Sequence, residues 1–197
     1  MKKLLPILMI SNMALGFVPR SFSTQYKQIV KNQLTGTPKE STGRFDYEYP
    51  GKLRLEQKGS DALVYVTNEK TTWIRRDGFM PGDPAEIIIH KGSDKGLSNF
   101  FDLLKNGLKS NKNYKVKDGD NYSVLVFSET SVKSTGVVET KLTFKKGKKE
   151  FSNITSIDIN YADGKVVKLE LSNVKNESFQ AKHFILNVPK NANVSYQ

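Results

Sequence analysis

Cysteine is absent from the 197 residues. That excludes a disulfide framework, a thiolate metal site and a lipid anchor on a processed N-terminal cysteine. Histidine is nearly as scarce: His90 and His183 lie far apart in the chain, with no second nitrogen or thiolate ligand near either, so neither a metal centre nor a histidine base is expected. Gly-rich phosphate cradles are missing. Gly92-Ser93-Asp94-Lys95-Gly96 has the composition of a nucleophile elbow, but its serine follows the glycine directly, which reads as a loop. Asp118, Asp120 and Glu129 share the spacing of a calcium loop, yet Tyr122 and Ser123 stand where such a loop needs an oxygen ligand and a glycine. Asp46 and Glu48 leave one strand face together and read as solvent-directed charges rather than an acid/base pair. The expectation is a protein that catalyses nothing and carries no cofactor and no metal.

Long apolar runs are also lacking, with one exception. Met1-Lys2-Lys3 leads into Leu4 to Phe17, interrupted by Pro6, Ser11, Asn12 and Gly16. This is shorter than the roughly 20 residues of a spanning helix and has the layout of a secretory signal peptide. Ser21-Phe22-Ser23 offers a cleavage site that makes residues 1–23 the signal and Thr24 the mature start, with Ala14-Leu15-Gly16 as a second candidate. Export to the periplasm is the expected consequence. The remainder, 24–197, has the length of one domain.

Acidic residues are outnumbered, 20 against 31 basic ones, for a net charge of +11. Such a balance favours acidic partners. Export, the spread of the basic residues along the strands, and the lack of an Arg-rich helix or RNA-binding aromatic motif argue against nucleic acid.

What is present is mostly period-two patterning. Tyr26, Ile29, Val30 and Leu34 fall at helical spacing and predict an amphipathic helix over Thr24 to Leu34. From Gly43 the period changes: Phe45, Tyr47 and Tyr49 alternate with charged residues, then Leu53 and Leu55 do so. A three-residue connection pairing Tyr49 with Leu53 and Tyr47 with Leu55 gathers all five on one apolar face, which a two-residue loop would not. Further strands are predicted over 62–67, 71–75, 114–117, 122–128, 138–145, 154–161, 166–172 and 184–188, with Asp163-Gly164 as a tight hairpin signal. The antiparallel meander is broken once. After the Pro- and Gly-rich stretch 78–84 comes a helix over about 96–108, with Leu97, Phe100, Phe101, Leu104 and Leu108 on one stripe.

Taken in order, the leader, the helix, Gly-Arg-Phe-Asp-Tyr-Glu-Tyr-Pro (43–50), Glu-Lys-Thr-Thr-Trp (69–73), the inserted helix, the meander and the ending from Phe184 to Val194 resemble the LolA family over essentially the whole mature chain. The resemblance implies a mainly β (α+β) fold, an unclosed antiparallel β-barrel with an N-terminal helix and an inserted helical lid over a hydrophobic cavity. It implies a periplasmic carrier, a monomer, that takes acylated lipoproteins from an inner-membrane ABC transporter to an outer-membrane receptor. The cavity and lid residues would be Phe45, Tyr47, Tyr49, Leu53, Leu55, Trp73, Leu97, Phe100, Phe101 and Leu104. Two positions depart from the family: Tyr49 precedes Pro50 where many members have an arginine thought to latch the lid, and Glu69 replaces a glycine. The other readings are a periplasmic sensor of lipoproteins, or a binding module for another lipid or a hydrophobic protein partner.

Overall fold

The structure is a computed structural model that describes residues 16–197 apart from 32–35, 60, 79, 81, 93–95 and 146. The strands are β1 (Ser21–Lys31), β2 (Pro38–Glu48), β3 (Lys52–Lys58), β4 (Leu63–Thr67), β5 (Thr71–Arg76), β6 (Glu86–Lys91), β7 (Tyr114–Asp118), β8 (Tyr122–Phe127), β9 (Val137–Phe144), β10 (Ile154–Tyr161), β11 (Val166–Asn176) and β12 (Asn193–Tyr196). Helix α1 (Leu97–Leu104) separates β6 from β7, and α2 (Glu129–Thr135) separates β8 from β9. All the strands join one sheet in the order β12-β6-β5-β4-β3-β2-β1-β11-β10-β9-β8-β7. The sheet is not closed, since β12 and β7 are its two edges.

Period-two side chains put one apolar face of this sheet on the inside. Phe22 and Tyr26 of β1, Phe45 and Tyr47 of β2, Leu53 of β3, Leu125 of β8, Leu142 of β9, Ile157 and Ile159 of β10 and Leu169 of β11 form one buried cluster with Phe100, Phe101 and Leu104 of α1. The sheet curls round the helix: Phe101 packs against Phe22, Phe45 and Tyr47 on one side, while Phe100 meets Phe127 of β8 on the other. Helix α2 ends in a left-handed Gly136, whose N–H caps the carbonyl of Val132.

The helix expected over Thr24 to Leu34 is instead part of β1, and Leu34 lies outside the described residues. The spacing Phe22, Tyr26, Val30 fits both periods, because a step of four residues is also two steps of two. The β-branched Thr24, Ile29 and Val30 and pairing with β2 and β11 decide for the strand. This strand begins at Ser21, ahead of the expected mature start, and Phe22 is fully buried.

The β2–β3 hairpin has a three-residue connection, but it is Tyr49-Pro50-Gly51, with a cis bond before the proline and Gly51 at φ +59°. Tyr47 therefore faces Leu53 and Phe45 faces Leu55. The register differs by two residues from the one expected, which preserves the face of every side chain.

A second, smaller core lies on the outer face. Trp73 and Ile89 pair across β5 and β6 beside Val66, and these pack with Phe179, Phe184, Leu186 and Val188 from the C-terminal stretch. That stretch was expected to give a strand over 184–188; it gives a 3₁₀ turn, Ala181–Phe184, and later β12, which pairs parallel with β6. Asp46 lies beneath it, 4% exposed, bonded to Arg44 (2.8 Å) and to His183 Nε2 (2.8 Å), so it is an internal tie and not the solvent-facing charge expected.

Candidate functional site

Four of the strand residues named from sequence, Phe45, Tyr47, Leu53 and Leu55, are brought together on the inner face, with Tyr49 packed at its margin. On α1, Phe100, Phe101 and Leu104 are fully buried against them, and Leu97 is half-buried at the end of the helix. Trp73 is not in this group. Strand β5 alternates, and Thr72 and Ile74 share the inner side, so Trp73 faces outward into the second core. An aromatic in a strand declares a buried face, but not which of two faces is meant when both are covered.

Phe101 sits at the centre. Its ring lies 5.5 Å from Phe22, 5.4 Å from Phe45, 5.4 Å from Tyr47 and 5.5 Å from Phe100. Beside the N-terminal end of α1 remains a cavity of about 190 Å³, lined by Tyr26, Phe45, Leu55, Leu97, Ile159 and Leu169, with Gln28, Tyr161 and Lys165 among its further lining. From Leu55 the inner face continues through Tyr65, Ile74 and Ile88 in register, all half-buried. The site is an apolar trough whose deepest part is filled by the helix itself.

Polar contacts hold the helix there. Tyr47 donates its hydroxyl to Asp102 Oδ1 at 2.5 Å, and the Gly51 N–H reaches both carboxylate oxygens of Asp102 at 3.1 Å. Burial and the adjacent carboxylate push the Tyr47 phenol far above its ordinary range, so it remains a donor. Lys105 Nζ lies 3.3 Å over the Tyr49 ring. At the C-terminal end, Tyr114 donates to the carbonyl of Gly107. Asp102, Gly51, Lys105 and Tyr114 were not among the residues named from sequence. One signal was available: a tyrosine on an apolar inward face needs a partner for its hydroxyl, and Asp102 is the one carboxylate on the inserted helix. Tyr49 offers its ring to the Lys105 ammonium, and Tyr47 makes the hydrogen bond to the helix.

An uncharacterized conserved protein from Thermus thermophilus has a similar fold, with a TM-score of 0.51 at 12% identity, covering 92% of this chain and 93% of its own. A LolA superfamily protein from Nitrosomonas europaea aligns at a TM-score of 0.48 and 12% identity, covering 86% of this chain and 92% of its own. No curated protein matches the sequence. The family described as outer membrane lipoprotein carrier protein LolA matches residues 19–187. With its open sheet curled round an inserted helix, the chain belongs to the LolA family.

Proposed function

We propose that this protein is a periplasmic carrier that shields the acyl chains of lipoproteins on their way from an inner-membrane ABC transporter to an outer-membrane receptor. The observation that carries the reading is the seat of α1. Phe100, Phe101 and Leu104 occupy the interior of an unclosed sheet, next to a cavity with a largely apolar wall on the helix side and an open apolar shelf. At about 190 Å³ the cavity falls below the roughly 300–1,000 Å³ of small-molecule sites, so long chains enter only if the helix gives way.

The energetics suit transfer. Burying ten methylenes is worth about 8 kcal/mol, while exposing three large apolar side chains costs roughly 5–9 kcal/mol. A carrier built this way binds at modest net affinity and releases. The Asp102 contacts with Tyr47 and Gly51 set the closed state against which a ligand competes.

Export would remove the leader. A cut after Ser23 would strip Val18 and Phe22, 2% and 0% exposed, from the core. We therefore place processing at the upstream candidate, Ala14-Leu15-Gly16, leaving Phe17 to pack on Phe144 and Phe151. Intact-mass measurement of protein from a periplasm is expected to give a chain starting at Phe17; a chain starting at Thr24, or one that keeps Met1, contradicts it.

The functional test is release of a radiolabelled lipoprotein from inner-membrane vesicles. The purified protein is expected to bring it into the soluble fraction as a one-to-one complex, whereas a lipoprotein without acyl chains is not retained. Equal retention of acylated and unacylated forms would refute the carrier reading.

A further inference from the structure

Two tyrosines buried deep in the interior have hydrogen-bond partners: Tyr47 on Asp102 and Tyr114 on the Gly107 carbonyl. Tyr26 does not. It is 3% exposed, and its hydroxyl is fully enclosed with no partner among the described residues. Tyr26 stands on the wall of the cavity beside α1, with Phe45, Leu55, Leu97, Ile159 and Leu169 on its apolar side and Gln28, Tyr161 and Lys165 also in its lining. The sheet makes room for it: a Cβ on Gly43, the residue opposite, would lie 2.8 Å from the Tyr26 hydroxyl, so the ring lies over backbone.

A second orphan hydroxyl faces the same interior. Thr140, fully buried and its hydroxyl without a partner among the described residues, pairs across the strands with Leu125 and with Ile159, and Ile159 also lines the cavity. Buried hydroxyls are normally paired, and an unpaired one beside an apolar cavity is suited to an acceptor that arrives with a ligand. Burial pushes the Tyr26 phenol up to about 12, so it offers a proton throughout the physiological range.

Resting on the carrier reading, we infer that Tyr26 is a ligand-binding residue that donates its hydroxyl to an acyl carbonyl, the ester or amide joining each chain to its headgroup. The methylenes next to that carbonyl then lie against Phe45, Leu55, Ile159 and Leu169. This sorts ligands: an acyl chain gains a hydrogen bond that an ether-linked alkyl chain of equal length cannot accept. A neutral hydrogen bond recovered by a buried group corresponds to about a tenfold preference.

The experiment measures calorimetric affinities of wild type and Tyr26→Phe for three lipopeptides of one sequence: a diacyl ester, its dialkyl ether counterpart, and one carrying a single chain through an N-terminal amide. Wild type is expected to bind the ester about tenfold more tightly than the ether, and Tyr26→Phe to bind both with the affinity of the ether. A loss confined to the ester assigns the ester carbonyl; a loss confined to the amide probe assigns the amide. Because the lost hydroxyl was unpaired, Tyr26→Phe should melt at or above the wild-type temperature. If Tyr26→Phe binds the ester, ether and amide probes each as tightly as wild type does, the assignment to Tyr26 falls while the carrier reading stands. If wild type binds none of the probes better than the bare peptide, the carrier reading falls with it.

Discussion

The two ends of the sheet are stabilised from opposite sides. Strands β8 to β11 bury Leu125, Leu142, Ile157 and Leu169 inward against the helices, and their outer face carries Lys141, Asp158 and Lys168. Strands β4 to β6 bury Val66, Ile87 and, in part, Trp73 outward against the C-terminal segment, while Tyr65, Ile74 and Ile88 on their inner face stay half-exposed. The difference shows how an open trough is kept without unfolding. A strand needs one well-packed face, and moving that face to the outside at one end leaves the inner side chains there only half-covered.

The sharpest way to break this comparison is to remove the outer core. Phe184→Ala, at a site 1% exposed, should cost about 3–5 kcal/mol in urea unfolding. Hydrogen exchange should rise first in β4 to β6 and β12; an equal rise in β8 to β10 would show that the two ends are one unit. Next comes the clasp on the helix. Asp102→Ala leaves the Tyr47 hydroxyl and the Gly51 N–H without their acceptor and should cost about 1–3 kcal/mol, with exchange rising in α1 and faster acyl uptake. It is a cleaner probe than a charge at Phe101, whose ring is enclosed by Phe22, Phe45, Tyr47 and Phe100, so that Phe101→Glu would damage folding as well as transfer. Smallest is a pH effect. Tyr26 and Tyr47 both titrate above the ordinary tyrosine value when folded; the stability tied to Tyr26 is intact below about pH 10 and is lost as pH rises from there through about 12, and that tied to Tyr47 is lost only at still higher pH. Tyr26→Phe should flatten that decline; an unchanged alkaline slope would count against the burial of its phenol.

Much of this was legible in the sequence where one face alternates cleanly. The β10–β11 hairpin at Asp163-Gly164 and the β2–β3 face follow from period-two spacing and turn residues. So does the stripe of α1, because Leu97, Phe100, Phe101 and Leu104 fit a helix and no strand, although the helix stops at Leu104 and leaves Leu108, expected on the same stripe, beyond its end. Harder to read were segments whose spacing serves both periods, as in β1, and residues buried on the outer side, as with Trp73 and Asp46, where the cover comes from more than a hundred residues downstream. Strand β6, Glu86–Lys91, and the short α2 were missed; Ile87-Ile88-Ile89 is a continuous apolar run because both of its faces meet other groups, and that removes the alternation. The latch was missed because Asp102 lies off the apolar stripe, and its role depends on where Tyr47 points.

The central claim is that α1 yields its place to acyl chains. Hydrogen exchange followed by mass spectrometry, on the protein alone, with a triacylated lipopeptide and with the same peptide unacylated, tests it most directly. The account predicts that the acylated ligand alone raises exchange in Leu97–Leu104 while β8 to β10 stay as protected as before. Bound lipopeptide with α1 still fully protected would contradict it.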